Sequence, residues 1–140
     1  MRLERVFLDS NVLVSAIISH GNENAVLELA LDGKIRVVVS EFVLGEVRRV
    51  IGEKFPERLR RMEEALFQLE HELVATADPL LTARAAALVR DPGDVEVLAG
   101  ILASKPDVAL TGDKDLLTDE VRAVAHTRRC EEYLESLERD

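Results

Sequence analysis

The chain has no tryptophan, one tyrosine and four phenylalanines among its 140 residues. Aromatic platforms for stacking nucleobases are therefore scarce, with Phe42, Phe55 and Tyr133 as the candidates. Any core must be filled by Val, Leu, Ile and Ala, a composition that suits a parallel sheet covered by helices. The single cysteine, Cys130, excludes an intrachain disulfide and makes a cytoplasmic location the simplest expectation. No apolar run approaches the roughly 18 residues that span a bilayer, so no membrane partner is expected. The apolar stretch at 6–18 is broken by Asp9 and Asn11, which argues against a signal peptide. Positive charge is also short. Lys and Arg number 18 against 27 Asp and Glu, a formal net charge of −9. Such a chain cannot hold nucleic acid by its overall field, and contact with RNA would need a local patch or metal ions.

What is present is apolar periodicity from end to end, without repeat, low-complexity segment or linker. The length fits one domain over 1–140, large enough to bury about two-thirds of its unfolded surface. Residues 3–8 read as a strand, 12–18 as a buried helix, 24–32 as a helix closed by Gly33, and 35–39 as a second strand. Ser40 caps the next helix, Pro56 opens another, 73–75 reads as a strand and 82–89 as a helix. Pro92-Gly93-Asp94 launches a helix through Ala103 that is apolar on nearly every face. A strand at 107–111, a weak one at 123–125 and a helix over 129–137 complete the chain. Strands alternating with helices predict an α/β fold with a mostly parallel sheet and helices on both of its faces.

In such a sheet ligands sit at the carboxyl ends of the strands. The acids there are Asp9 after the first strand and Asp113 after the strand at 107–111. Asp94 stands at the start of the buried helix, and Glu46 borders the apolar stripe of the helix after Ser40. Taken singly, Asp9 and Asp113 fit turn residues or caps, Asp94 an N-cap, and Glu46 a solvated helix position. Together they converge on one edge, where like charges repel and lose hydration unless protons, basic partners or a metal compensate. Lys114 is the only basic residue interleaved with them. An all-oxygen donor set favours Mg²⁺ or Mn²⁺, whereas His20, His71 and His126 fit no zinc spacing.

The segments Phe7-Leu8-Asp9-Ser10-Asn11-Val12-Leu13-Val14-Ser15-Ala16, Arg90-Asp91-Pro92-Gly93-Asp94 and Leu110-Thr111-Gly112-Asp113-Lys114-Asp115-Leu116-Leu117 resemble the signature segments of PIN domains. The nearest group is the toxin components of prokaryotic toxin–antitoxin systems, the VapC-like PIN ribonucleases. The resemblance covers essentially the whole chain. It implies a three-layer α/β/α fold with a sheet of four to five strands, and an endoribonuclease that hydrolyses RNA phosphodiesters with Mg²⁺ or Mn²⁺. Asp9, Glu46, Asp94 and Asp113 match the family's metal-site acids, and Asp115 a fifth acid acting through water or from behind the direct ligands. Asn11 and Thr111 match polar positions that hold the acids in place, and Asp91 a structural turn. An antitoxin protein and a homodimer are the partners the resemblance implies. The segment Arg128-Arg129-Cys130-Glu131-Glu132-Tyr133-Leu134 departs from the family's Thr-Pro-rich stretch, which leaves the last strand and helix boundaries open.

Arg48, Arg49, Lys54, Arg58, Arg60 and Arg61 form the one basic concentration. They are candidate contacts for RNA phosphates, or else a solvated helical face paired with Glu53, Glu57 and Glu64. Two rival functions remain open on sequence. A haloacid-dehalogenase-type phosphatase also places an Asp after its first strand, but would want a second Asp where Asn11 stands. A catalytically inactive PIN-like module would bind nucleic acid or assemble without cleaving.

Overall fold

A computed structural model describes residues 2–75 and 78–139. Five strands form one sheet: β1 (Arg5–Leu8), β2 (Arg36–Ser40), β3 (His71–Val74), β4 (Val108–Leu110) and β5 (Thr127–Arg128). Their order is β3-β2-β1-β4-β5 and every pairing is parallel. Val6, Phe7 and Leu8 are all buried, as are Val37, Val38 and Val39, because helices cover both sheet faces and leave no strand position a solvent side.

Among the described residues seven α-helices carry the connections and an eighth follows β5: α1 (Ser10–Ile18), α2 (Asn22–Leu31), α3 (Glu41–Lys54), α4 (Leu59–Gln68), α5 (Pro79–Ala86), α6 (Pro92–Ser104), α7 (Asp119–Ala125) and, last, α8 (Cys130–Glu138). Helices α1, α2, α3 and α8 pack together on one face, and α5, α6 and α7 on the other. The result is a three-layer α/β/α fold. Connections run outward from β1 to β3 on one face and return through β4 to β5 on the other. The strand order therefore reverses between β1 and β4, and the crevice at their carboxyl ends is where such sheets place ligands.

Helix α6 lies unusually close to the sheet. A Cβ on Gly100 would meet the Ser40 Cβ at 3.1 Å and the Phe7 ring at 3.8 Å, so glycine permits the approach. Seven of the thirteen α6 residues are buried, Asp94 among them, as the all-round apolar pattern predicts. No helix among the described residues is long and apolar enough to cross a membrane.

Several element boundaries differ from the sequence expectation. The segment 123–125 is not a strand but the end of α7, which starts where the Thr118 side chain accepts from the Val121 amide at 3.3 Å. It ends at His126 in the left-handed region with φ 52°, after which β5 pairs with β4. The helix expected at 82–89 starts three residues earlier, because the Asp78 carboxylate caps the Leu80 amide at 2.9 Å and Pro79 takes the first turn. The strand expected at 73–75 begins earlier, at His71, paired with Val37. Pro56 opens a short 3₁₀ turn rather than α4 itself.

Candidate active site

The switch point at β1 and β4 fixes the site. Asp9 follows β1, and its amide continues the ladder by donating to the Leu110 carbonyl at 3.0 Å. Its side chain is buried yet fully partnered. One carboxylate oxygen accepts from the Ser10 amide at 2.7 Å, the other from the Thr111 hydroxyl at 2.7 Å and the Asn11 amide group at 3.3 Å. The Thr111 hydroxyl in turn accepts from the Asp113 amide at 3.0 Å, so a single buried side chain orients two acids. The Asn11 carbonyl oxygen accepts from the Gly112 amide at 2.9 Å, tying the turn after β4 to the start of α1. Asn11 and Thr111, the two polar residues expected beside the acids, therefore both hydrogen-bond to Asp9.

Glu46 reaches this edge from α3 and Asp94 from α6, one from each helical layer. Glu46 is half-buried and accepts from the Ser10 hydroxyl at 3.0 Å. Ser10 therefore links Glu46 to Asp9, a role that sequence alone did not suggest, since a serine beside an Asp at a helix start reads as an ordinary cap. Asp94 is not the cap of its helix. Asp91 is, accepting from the Gly93 and Asp94 amides at 2.9 and 3.2 Å. Asp94 stands in the first turn, buried, and turned towards Asp113.

Asp94, Asp113 and Asp115 form the tightest group: one carboxylate oxygen from each lies within 4.8 Å of the others. Asp115, the fifth acid, stands in this trio because Asp113 accepts from the Asp115 amide at 2.9 Å and folds the chain into a 3₁₀ turn. Asp9 and Glu46 border the trio without belonging to it.

The electrostatics are those of excess negative charge. Burial is the main cause that raises Asp9 above its ordinary value; hydrogen bonds from Thr111 and Ser10 oppose it, and the charges of Glu46 and Asp113 add to it. Asp94 is raised from 3.8 to about 7, first by burial, then by hydrogen bonding with the Asp113 carboxyl and by the charges of Asp113, Asp91 and Asp115. Ion pairs do not relieve this charge. The described salt bridges engage Asp107, Glu72, Glu63, Glu53, Glu64 and Glu132, and none touches the five acids of the site.

A sequence model of the PIN domain matches residues 5–115. The chain belongs to the PIN domain family. No curated protein matches the sequence. Among solved structures, this PIN domain resembles a chain of VapBC2 from Rickettsia felis, bound to a DNA fragment from their promoter. The match has a TM-score of 0.67 and 16% identity, and covers 89% of this chain and 98% of the other. At that identity the likeness speaks for the fold. Family membership leaves the phosphatase alternative without support.

Within the basic concentration of this PIN domain, three arginines pair with glutamates. Arg48 pairs with Glu63 at 3.3 Å, Arg49 with Glu53 at 3.3 Å and Arg60 with Glu64 at 3.1 Å, all largely exposed. Arg61 donates to the Ile17 carbonyl at 3.1 Å. Lys54 and Arg58 carry no ion pair among the described residues, but Lys54 lies about 12 Å along α3 from Glu46, taking 1.5 Å per residue.

Proposed function

We propose that this PIN domain is a divalent-metal-dependent endoribonuclease, with Asp9, Glu46, Asp94 and Asp113 as its catalytic acids. The observation that carries the reading is the Asp94–Asp113–Asp115 trio within 4.8 Å, braced beside a buried Asp9 and without an ion-pair partner among the described residues. Folding tolerates such a group when protons or a hard cation compensate the charge. The donor chemistry fits: every available ligand atom is a carboxylate oxygen, the set Mg²⁺ and Mn²⁺ prefer. Asp94, Asp113 and Asp115 would hold the ion, with Asp9 and Glu46 facing it. When bound, the ion activates water and stabilises charge on the attacked phosphodiester.

The chain's own residues supply the rest. Thr111 keeps the Asp9 carboxylate fixed and deprotonation-competent by donating to it, and Ser10 turns Glu46 to the same edge. Asp94, raised to about 7, holds a proton that cation binding would displace, which would couple ion uptake to proton release. Retention of all five acids speaks against the inactive-module reading.

The biological role proposed is that of a toxin acting on RNA in the cytoplasm, restrained by an antitoxin protein and assembled as a homodimer. The similarity of fold to a VapBC2 chain supports this. So do the exposed apolar side chains of Phe67 on α4, Leu73 on β3 and Leu80 on α5, which offer a partner an apolar contact.

The test is incubation of purified protein with single-stranded RNA and Mn²⁺, with and without chelator, beside the Asp9→Asn variant. Chelator-sensitive cleavage lost in the variant is expected. Cleavage that persists in chelator, or that the variant retains, would sink the proposal.

A further inference from the structure

A small cleft of about 140 Å³ adjoins the acid edge on the side away from α6. Thr111 and Gly112, which brace Asp9 and Asn11, form one wall. Asn22 and Glu23 enter from the start of α2, and Arg129 and Glu131 from the start of α8. Val12 and Cys130 provide its apolar part. Burial pushes the Cys130 thiol up to about 12, so it contributes shape and no charge.

First-turn acids such as Glu23 and Glu131 complement the positive end of a helix, and that alone explains their presence. It does not explain Arg129. A guanidinium at an N-cap opposes the helix dipole and replaces the Ser, Thr, Asp or Asn that caps prefer. Its backbone amide donates to Glu132 at 3.1 Å, while its exposed side chain makes no ion pair or hydrogen bond among the described residues. Glu23 is half-buried and likewise accepts no hydrogen bond among the described residues. Carboxylates and a guanidinium thus share one cleft without neutralising each other.

We propose that this cleft is a nucleobase pocket selecting guanine in the RNA beside the scissile phosphate, a refinement that rests on the endoribonuclease reading. Guanine is the base with two adjacent donors, N1–H and the N2 amino group, opposite two acceptors, O6 and N7. A Glu carboxylate accepts from the first edge, and Arg donates as a fork to the second. The volume admits one base and not a whole nucleotide. Arg48 and Arg49 on the α3 side each pair with a glutamate, whereas Arg129 on the α8 side has no such partner among the described residues.

The experiment measures binding of labelled single-stranded RNA hexamers to the full chain in chelator, where cleavage is off. The hexamers differ in one position: guanosine, inosine, which lacks the N2 amino group, or adenosine. Guanosine is expected to bind about tenfold more tightly than either. Glu23→Gln and Arg129→Gln should each reduce that ratio to within about twofold, while the Mn²⁺-induced rise in melting temperature stays as in the unaltered chain. Equal affinity for all three hexamers, or a guanosine preference that both variants retain, overturns the pocket. Guanosine preference without chelator-sensitive cleavage in Mn²⁺ keeps the pocket and overturns the nuclease reading, so the two failures are told apart.

Discussion

Asp94→Asn should stabilise the metal-free protein and abolish its response to metal. The native carboxyl titrates at about 7 instead of 3.8, held up by burial and by Asp113. Because the folded-state value lies above the ordinary one, ionisation costs stability. Metal-free protein is most stable with Asp94 protonated and loses stability as pH rises between these two values. At 1.36 kcal/mol per pH unit the full loss is about 4 kcal/mol, and the interaction with Asp113 lowers the part belonging to Asp94 to about 2–4 kcal/mol. An Asn amide reproduces the protonated state, since it donates to Asp113 and carries no charge. At about 3 °C per kcal/mol for a domain of this size, the variant should melt about 6–12 °C higher than native protein at pH 8 in chelator. At pH 5 the gap should narrow to about 1–2 kcal/mol, because only the interval between 3.8 and 5 then counts against native Asp94. Mn²⁺ at about a hundred times its dissociation constant should stabilise native protein by about 2.7 kcal/mol and the variant hardly at all. Calorimetry at both pH values, with and without metal, reads all four states. A variant less stable than native at pH 8, or equally stabilised by Mn²⁺, would refute both the charge argument and the ligand role of Asp94.

Thr111→Val keeps the volume but strips the donor from buried Asp9 and the acceptor from the Asp113 amide. Urea unfolding should show a loss of about 1–3 kcal/mol, with cleavage falling in parallel. Ser10→Ala should cost under about 1 kcal/mol in the same assay, since Ser10 is only part-buried. Its turnover should nevertheless drop about tenfold, with recovery in Ser10→Thr, because Glu46 loses the group that aims it; unchanged turnover in Ser10→Ala would remove Ser10 from the site. Gly100→Ala places a Cβ 3.1 Å from Ser40, so its melting temperature should fall by a loss of about 1 kcal/mol despite alanine's better helix propensity.

Much of the architecture was legible because local signals agreed with the global pattern. The apolar run at Val6–Leu8, the Ser40 cap and the all-round apolar α6 each had one interpretation, and the acids lie where strand ends place them. The cap that Asp94 suits when taken singly falls instead to Asp91. Two acids three residues apart both suit a helix start, and Asp91 prevails because Pro92 after it has no amide to satisfy, leaving the Gly93 and Asp94 amides for its carboxylate. Residues 123–125 are small and carry no period, so the decisive signal lay upstream in Thr118 with Asp119 and Glu120. The state of the basic residues depended on tertiary pairing: Arg48–Glu63 joins two helices and cannot be seen in either alone. Glu23 and Arg129 line one cleft only because α2 and α8 are neighbours in the folded chain, which no local pattern shows.

The hydrogen bond from Thr111 to Asp9 spans 102 positions of the chain. Nothing resembling the acid trio can exist on a ribosome until β4 has emerged and inserted beside β1, since Asp113 and Asp115 follow that strand directly. The first hundred residues to emerge carry Asp9, Glu46 and Asp94 but no partner to gather them. A half-made chain therefore lacks the assembled acid edge, which arrives in one step with the closing of the sheet.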